Sequence, residues 1–403
     1  MIKREAEEAV LRMAEQFPAV AITGPRQSGK STLAKQLFSE KRYVSFDDKN
    51  LRELAKSNPV DFLLAFPDGA VIDEAQKAPE IFDAIKYHID KDNMKPGSFI
   101  LTGSSQFRLK KNIKESLSGR IGQVELLPLT ISELKENELL KKDAYDQALS
   151  GFYTPFYDAD KHYYPEDWFE NYIDTYLEMD ISEQINKSNL SAFRKFIRVC
   201  ALYSGQMLNM ESIAKAVEKS AVTIKSWISI LQSSYIIHLL EPDTNSLGKN
   251  LVKTPKLYFI DSGLLCYLLR IENKEELILS RYKGAIIETM AVSELLKNRM
   301  NKGRKGNLTY YRDVNGFEVD IIADWKKTYA VEVKSDSGSE SKLSKNVRKY
   351  IEQRGNDTDG AVFYLGNDSM RISNTDFVSW KDWSDYKKQQ ISNSELSTNK
   401  NGS

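Results

Sequence analysis

Residues 24–31, with the sequence GPRQSGKS, are the feature that most constrains the fold of this chain. They match the pattern G-x-x-x-x-G-K-[ST], which predicts a phosphate-binding loop between a strand and a helix. The flanking sequence agrees, because the apolar run at residues 19–22 predicts a buried parallel strand and residues 31–38 predict a helix. This context favours a phosphate-binding loop over a surface turn that matches the pattern by chance.

The residue types of this loop suit a triphosphate. Gly24 and Gly29 allow a tight backbone whose N–H groups point inward, and the helix start adds free N–H groups with a partial positive charge. Lys30 is expected between the β- and γ-phosphates, and the Ser31 hydroxyl is expected to coordinate Mg²⁺. The expected nucleotide-binding residues are Gly24, Pro25, Arg26, Gln27, Ser28, Gly29, Lys30, Ser31 and Thr32.

Two acidic residues, Asp73 and Glu74, end a second apolar run at residues 69–72. After a phosphate-binding loop and an intervening helix, this position predicts that Asp73 holds Mg²⁺ and that Glu74 polarises the attacking water. A strand that simply exits into solvent would show the same local pattern. The order of loop, helix and strand favours the functional interpretation.

Two further polar residues are candidates for catalysis. Ser104 follows a predicted strand at residues 98–102, where it could contact the γ-phosphate or the attacking water. Arg120 precedes the predicted strand at residues 123–126, and it could reach a phosphate of its own or a neighbouring subunit. An ordinary strand exit and an exposed arginine at a helix end remain equal alternatives.

The composition limits the class of protein. A chain of 403 residues, 41% hydrophobic and 28% charged, indicates two or three globular domains. The net charge of zero does not indicate a globally basic nucleic-acid binder. We find no apolar run that approaches a membrane span and no signal-peptide core, so a cytoplasmic location without membrane contact is expected. Cys200 and Cys266 lie in apolar stretches and are expected to be core residues.

The predicted fold class is α/β, with a P-loop parallel sheet that carries helices on both faces. The first unit alternates apolar strands with helical segments, which is typical of such a sheet. A mostly helical winged-helix domain and an α/β nuclease-like domain are expected to follow. The predicted divisions are 1–145 for the ATPase-type domain, 146–166 for a connector, 167–275 for the helical domain, 280–385 for the nuclease-like domain and 386–403 for a disordered tail.

The predicted winged helix lies within the helical domain. Helices at residues 210–217 and 222–233, joined by a short polar turn, resemble a helix-turn-helix. Because the outward face of the second helix carries only Lys225 as a positive charge, protein contact is favoured over DNA binding. Lys249 and Lys253 in the wing leave DNA binding open.

The third unit contains a second set of acidic residues. Alternation in residues 317–321 is expected to place Phe317, Val319 and Ile321 on one face of a strand and Asp320 on the other. A half-exposed hairpin whose charges face water would give a similar pattern.

These acids, taken together, predict a metal site. Glu332 and Lys334 share one face of the next strand, and Glu288 lies on the preceding helix. With Asp320 they would form an oxygen-ligand site for a second Mg²⁺ or Mn²⁺, with Lys334 orienting a water. This is the arrangement of metal-dependent phosphodiester hydrolysis, although a fold can persist after its chemistry is lost.

The whole layout resembles a group of prokaryotic AAA-superfamily ATPases with an uncharacterised C-terminal region, itself similar to a winged helix followed by a PD-(D/E)XK nuclease-like module. The resemblance covers residues 5–368. It is carried by residues 24–31, 71–76, 101–105, 117–120, 258–263 and 284–288, and by 318–320 with 331–334. It implies ATP binding at Lys30, Ser31 and Asp73, water activation by Glu74, and Arg120 as an arginine finger. It also places Glu288, Asp320, Glu332 and Lys334 on the nuclease pattern.

Three functions are compatible with this sequence. The favoured one is an ATPase whose hydrolysis rearranges its C-terminal modules. The second is an ATP-gated, metal-dependent nuclease that acts on DNA or RNA. The third is a non-enzymatic nucleotide-sensing switch that binds a protein or nucleic-acid partner, and an oligomer is compatible with all three.

Overall fold

The computed structural model describes most of the chain. The described residues are 2–92, 94–104, 113, 115–176, 181, 185–243, 251–335, 345–355, 358–372 and 375–386. Lys249, Ser105 of the resemblance and the predicted disordered tail beyond residue 386 lie outside them.

Five parallel strands form the first sheet, in the order β2-β3-β4-β1-β5. They are β1 (Ala19–Thr23), β2 (Tyr43–Ser45), β3 (Ala70–Asp73), β4 (Phe99–Gly103) and β5 (Ile121–Glu125). The helices are α1 (Glu7–Gln16), α2 (Lys30–Leu37), α3 (Lys49–Ser57), α4 (Pro59–Leu64) and α5 (Ile81–Asp92). The predicted parallel sheet is confirmed, and the phosphate-binding loop joins β1 to α2 at its carboxyl edge.

Helices cover both faces of this sheet, which explains why its central strands β1, β3 and β4 are buried along their whole length. On β1, Ala19 and Ala21 pack with α3, α4 and α5 on one face of the sheet, whereas Val20 and Ile22 pack with α1 and α2 on the other face. Every residue of β1 is therefore buried, as expected of a central parallel strand.

Nine strands form a second, mixed sheet in the order β13-β14-β12-β11-β10-β9-β7-β8-β6. They are β6 (Gln206–Met207), β7 (Ile237–Pro242), β8 (Lys256–Phe259), β9 (Leu308–Arg312), β10 (Glu318–Asp324), β11 (Thr328–Lys334), β12 (Thr358–Tyr364), β13 (Met370–Ile372) and β14 (Thr375–Ser379). β11, β12 and β14 run parallel to one another, and the hairpins β9-β10 and β10-β11 are antiparallel.

Helices surround this second sheet. They are α6 (Ile131–Glu136), α7 (Ala144–Ser150), α8 (Pro165–Tyr176), α9 (Leu190–Leu202), α10 (Met210–Val217), α11 (Ala221–Ser233), α12 (Ser262–Leu269), α13 (Lys274–Leu279), α14 (Lys283–Met300) and α15 (Lys345–Arg354). Short 3-10 turns lie at Ala75–Lys77, Thr154–Tyr157, Lys187–Asn189 and Trp380–Asp385.

The predicted helix pair corresponds to α10 and α11, with Ser220 capping the N-terminus of α11. The hairpin β7-β8 follows it, and β7 also pairs in parallel with β9 through Glu241 and Thr309. The second sheet thus crosses the predicted boundary between residues 275 and 280. The winged-helix assignment stays a prediction.

The alternation expected for residues 317–321 is wrong at its end. Phe317 and Val319 pack with Ile322 in one cluster, whereas Ile321 packs on the opposite side in the large core. The cause is a register shift between Val319 and Ile322 in the pairing of β10 with β9. An extra residue at such a bulge exchanges the faces of the strand beyond it.

Apart from the packing around the first sheet, a large hydrophobic core, the second core, extends from Leu127 to Tyr386 and includes the connector. The connector aromatics pack against α8, with the ring centroids of Tyr153 and Phe156 lying 5.2 Å and 4.8 Å from that of Trp168. Aromatic residues in such pairs bury a large apolar area at defined geometry. The connector is therefore an ordered part of the second core.

Candidate functional site

The loop at residues 24–31 requires glycine at two positions. A Cβ at Gly24 would lie 2.0 Å from the carbonyl oxygen of Leu126, which leaves no room for a side chain. Gly29 caps α2 with φ of +89°, a left-handed conformation that glycine adopts without steric cost. These two residues let the backbone turn directly from β1 into α2.

Lys30 and Ser31 begin α2 at the edge where β3 ends. The Lys30 side chain is buried, and its Nζ donates to the Pro25 carbonyl at 2.6 Å. Ser31 Oγ donates to Asp73 Oδ1 at 2.8 Å. A hydroxyl and a carboxylate are hard oxygen ligands of the kind that Mg²⁺ prefers. The described groups therefore fit a magnesium site at the predicted residues.

Two further hydroxyls hold Asp73, and the sequence reasoning missed both. Tyr43 Oη donates to Asp73 Oδ2 at 2.6 Å, and Thr102 donates to Asp73 Oδ1. Burial and the neighbouring Asp73 carboxylate raise the pKa of the Tyr43 hydroxyl, so it remains a donor. Both residues lie on strands next to β3, Thr102 near the carboxyl end of β4 and Tyr43 at the start of β2.

Glu74 lies directly beyond the end of β3 in a left-handed conformation, with φ of 55°. Its Oε2 accepts from Gln76 Nε2 at 2.5 Å and lies 3.5 Å from Ser104 Oγ. Burial raises the pKa of the Glu74 carboxyl, although Lys30 and Arg26 partly offset the effect. The structure thus brings Ser104 to Glu74, as expected of a polar residue at a neighbouring strand tip.

A cavity of about 410 Å³ opens above the loop. Its lower wall is formed by the predicted residues Arg26, Gln27, Gly29, Lys30, Ser31, Thr32 and Glu74. Its opposite wall consists of Thr154 from the connector and of four residues of α8, Trp168, Asn171, Tyr172 and Thr175. No local sequence pattern predicts this second wall.

Three contacts connect the loop region to the rest of the chain. Arg4 Nη1 donates to the Ser28 carbonyl at 2.6 Å, and Thr154 Oγ1 donates to the Gln27 carbonyl at 2.9 Å. At the end of β1, the Thr23 and Tyr235 hydroxyls are 2.9 Å apart in a buried hydrogen bond. The loop is therefore held from three sides by residues distant in sequence.

Arg120 lies at the opposite edge of the sheet from the loop. It immediately precedes β5, whose five residues span about 16 Å along the sheet. Its guanidinium forms a two-point ion pair with Asp90, at 2.6 Å and 3.0 Å, which lowers the pKa of that carboxyl. Within one chain Arg120 does not reach the phosphate-binding loop, so only its role toward a neighbouring subunit remains a prediction.

The acidic residues of the third unit lie near one another around an internal cation. Lys256 Nζ lies 3.1 Å from Glu288 Oε1 and also pairs with Glu318. Burial raises the pKa of Glu288 to about 7, and the nearby Asp320 charge adds to the effect. Burial alone would lower the pKa of Lys256, but the surrounding carboxylates outweigh it and the net pKa is raised. The sequence reasoning missed Lys256 and Glu318.

The remaining members lie on β10 and β11. Asp320 Oδ2 accepts from the Val333 backbone N–H at 2.8 Å, and Lys334 pairs with Glu332. Burial raises the pKa of both the Asp320 and the Glu332 carboxyl. Glu332 Oε2 is buried and has no hydrogen-bond partner among the described residues. In that part of the chain, however, we find no group of three or more His, Cys, Asp or Glu residues arranged to hold a metal ion.

Three family profiles match successive parts of the chain. Residues 16–135 match an AAA domain, residues 141–275 match a domain of unknown function (DUF8612), and residues 283–383 match another domain of unknown function (DUF4143). The predicted AAA-type P-loop ATPase domain, followed by a C-terminal region without an assigned function, is confirmed. The nuclease-like character of the last unit stays a prediction.

Two proteins with similar sequences carry names that assign no function. The chain is 27% identical over 338 residues to the uncharacterized protein Rv2008c of Mycobacterium tuberculosis. The aligned region covers 83% of this chain and 74% of the relative. It is 23% identical over 331 residues to the uncharacterized protein MJ1544 of Methanocaldococcus jannaschii. That aligned region covers 75% of this chain and 71% of the relative.

Among solved structures, a Walker-type ATPase of Pyrococcus abyssi is similar, with a TM-score of 0.44 and 16% identity. The match covers 67% of this chain and 96% of that ATPase. A likeness at this level assigns no substrate or partner. In the described part of the chain, no helix combines the length and apolar composition that crossing a bilayer requires.

Proposed function

We propose that the chain binds and hydrolyses ATP at the loop of its AAA domain, and that this nucleotide cycle rearranges the C-terminal units. The observation that carries the proposal is that Lys30, Ser31 and Glu74 line one cavity, with Asp73 hydrogen-bonded to Ser31 directly behind them. A buried ammonium, a hydroxyl–carboxylate pair and a carboxyl with a raised pKa are the groups that phosphoryl transfer to water needs.

The loop residues divide the work of binding. The Lys30 ammonium supplies positive charge to the triphosphate, and the free N–H groups at the start of α2 bind phosphate oxygens. Ser31 and Asp73 would hold Mg²⁺, which neutralises phosphate charge during transfer. Tyr43 and Thr102 keep the Asp73 carboxylate oriented toward Ser31.

Glu74 is the proposed acceptor of the proton from the attacking water. Gln76 holds one of its carboxylate oxygens, and the left-handed backbone of Glu74 turns its side chain away from the run of β3. A non-glycine residue in this conformation costs about 1–2 kcal/mol, a cost that occurs often at functional sites. Ser104 is proposed to position the same water, because it lies next to the Glu74 carboxylate.

Coupling to the C-terminal units is proposed to pass through the residues that touch the loop. Tyr235 precedes β7 and belongs to the second core, and Thr154 follows Tyr153, a connector residue of the same core. A shift of the loop on nucleotide binding or hydrolysis would change these two contacts first.

Two substitutions test the proposal. Lys30→Ala removes the buried charge, and it should weaken ATP binding by roughly 100-fold or more. Glu74→Gln keeps the shape of the side chain, so it should preserve binding while lowering turnover by roughly 10²- to 10⁴-fold. ATP binding and phosphate release would be measured on the full chain, with Lys49→Ala on exposed α3 as control. Wild-type turnover by Lys30→Ala would contradict the proposal.

A second candidate function is metal-dependent cleavage of nucleic acid by the third unit. The unpartnered, buried Oε2 of Glu332 favours it, because a carboxylate oxygen in that state fits a cation. Glu332 and Asp320 would contact the ion, although the described residues bring no group of three acids around one position, as the predicted set with Glu288 would require. Lys256 already neutralises Glu288, however, which favours a binding role for this cluster without cleavage.

One assay distinguishes cleavage of nucleic acid from binding without cleavage. Wild type and Glu332→Ala would be incubated with labelled single- and double-stranded DNA and RNA, in Mg²⁺ or Mn²⁺, with and without ATP. Cleavage by wild type alone would support the nuclease. Absence of cleavage from wild type under every condition would support a unit that only binds a partner.

A further inference from the structure

Helix α8 presents one stripe of side chains to the cavity above the phosphate-binding loop. Trp168, Asn171, Tyr172 and Thr175 line that cavity, and their spacing of three and four residues places them on a single helical face. Phe169, Ile173 and Tyr176 of the same helix are buried in the second core. The helix is thus anchored on one side and faces the loop with the other.

The two walls of the cavity differ in chemistry. The loop wall provides Lys30, Ser31 and backbone N–H groups, which suit phosphate. The α8 wall provides an indole, a phenol ring, a carboxamide and a hydroxyl, and the residues Asn171 and Thr175 are exposed. A ligand that fills both walls therefore has a charged phosphate end and a flat end with hydrogen-bonding groups.

The aromatic part of the α8 wall is fixed in place. Trp168 and Tyr172 stack with centroids 5.1 Å apart and planes 16° from parallel, and Trp168 is only half-buried. Tyr153 and Phe156 of the connector pack against the same indole. A rigid, partly exposed aromatic surface is suited to stacking against a nucleobase.

We infer that Trp168, Asn171 and Thr175 of α8 form the subsite for the nucleobase and ribose of the bound nucleoside triphosphate. This inference rests on the proposed ATP site and adds that residues outside the matched AAA domain, which ends at residue 135, complete it. Trp168 provides the stacking surface, and Asn171 and Thr175 provide polar contacts. The cavity volume of about 410 Å³ lies within the range of ligand pockets.

The subsite also explains how the C-terminal units would sense the nucleotide. Phosphate contacts are made by the loop, whereas base contacts are made by a helix of the second core. A nucleotide that spans the two walls joins them, and a ligand without a base would contact only the loop. The difference between those two ligands isolates the contribution of α8.

The test compares ATP with inorganic tripolyphosphate, which carries the phosphates but no base. Binding of each to the full chain with Mg²⁺ would be measured by isothermal titration calorimetry. Trp168→Leu and Asn171→Ala should each raise the Kd for ATP, by roughly 5- to 100-fold for the indole, and leave the Kd for tripolyphosphate unchanged. Asn171→Ala keeps the aromatic cluster intact, so it guards against a folding defect in the tryptophan variant.

Glu170→Ala is the matched control, since Glu170 is exposed on α8 next to Asn171 but lines a different cavity. It should change neither Kd. An unchanged Kd for ATP in both test variants, or an equal loss for both ligands, would overturn the base subsite while leaving the ATP site in place. If wild type bound neither ligand, the proposed ATP site itself would fail.

Discussion

Lys256 is the residue on which the acidic cluster of the second sheet depends. It is buried, and its ammonium pairs with both Glu288 and Glu318. Two carboxylates in a poorly solvated site are costly without a cation between them. The ammonium therefore acts as a permanent counter-ion supplied by the chain itself.

Replacing Lys256 with Met should lower the free energy of unfolding by about 3–5 kcal/mol, because the partly buried Glu288 loses its counter-ion and Glu318 keeps only Arg312. Urea denaturation followed by circular dichroism would measure it. Lys195→Met is the control, because Lys195 forms an exposed pair with Glu218 that should contribute less than about 1 kcal/mol. Equal losses in the two variants would contradict this role.

His238 predicts a loss of stability in mild acid. Burial lowers its pKa to about 4, and its Nε2 has no hydrogen-bond partner among the described residues. Between that value and the unfolded pKa of about 6.5, the unfolded state binds the extra proton, so stability falls as pH falls. Within that pH range the free energy of unfolding should fall, on account of His238, by up to about 1.4 kcal/mol for each pH unit.

The measurement is the free energy of unfolding of wild type and His238→Gln between pH 4 and 7. The difference in free energy of unfolding between wild type and His238→Gln should change with pH by the amount attributed to His238, because other groups titrate equally in both proteins. His162→Gln, at an exposed position, should follow the wild-type curve. A His238→Gln curve parallel to that of wild type would refute the assignment.

At the scale of elements, Arg4 joins the start of the chain, the phosphate-binding loop and α6. Its Nε donates to Glu133 Oε1 at 2.9 Å, and its Nη2 donates to the Leu127 carbonyl at 2.8 Å. Glu133 is fully buried and forms a capping box with Thr130 at the start of α6. One guanidinium therefore fixes three segments that are distant in sequence.

Arg4→Met should lower the free energy of unfolding by about 3–5 kcal/mol, since the Glu133 carboxylate stays buried without its partner. It should also weaken ATP binding, because the Ser28 carbonyl loses its contact with the guanidinium. Denaturation and nucleotide titration would be compared with Lys3→Met, an exposed neighbour. Normal ATP affinity in Arg4→Met would show that nucleotide binding at the loop does not depend on Arg4.

Sequence patterns predicted the elements better than their long-range contacts. The strands β1, β3 and β4 of the first sheet are buried along their whole length, so their apolar pattern was visible locally. β13 and β14 were not predicted, because the first is short and largely exposed at the sheet edge. The bulge in β10 was also missed, since it arises from pairing with β9 rather than from composition.

In the candidate sites, likewise, residues within local sequence patterns were predicted, whereas residues brought together only by packing were not. Lys30 and Ser31 were predicted because a motif places them within a local strand–loop–helix, and Asp73 because it ends an apolar run after that motif. The wall containing Trp168 was not predicted, because it depends on where α8 packs. Lys256 was missed because it lies 32 positions before Glu288, and only the fold brings the two together.

At the scale of the whole molecule, Cys200 and Cys266 report on opening of the second core. Both thiols are buried, and burial raises the pKa of each, so thiolate is scarce and reagents lack access. Alkylation therefore requires this core to open. If nucleotide joins the loop to α8, ATP should slow that opening.

Iodoacetamide labelling followed by mass spectrometry would test this coupling. ATP with Mg²⁺ should slow labelling of both cysteines in wild type and have no effect in Lys30→Ala. A saturating ligand lowers the population of open states in proportion to its concentration over its Kd. Identical labelling rates with and without ATP in wild type would show that the second core does not respond to nucleotide.

The pairing of β7 with β9 makes the two C-terminal family domains mechanically continuous. Tyr235, which touches the end of β1, lies two residues before β7. Six strand spacings separate β7 from β13, a distance of about 29 Å. A tilt of about 5° at Tyr235 would therefore move the far edge by about 2.5 Å. The sheet would act as a lever that enlarges a small displacement at the nucleotide.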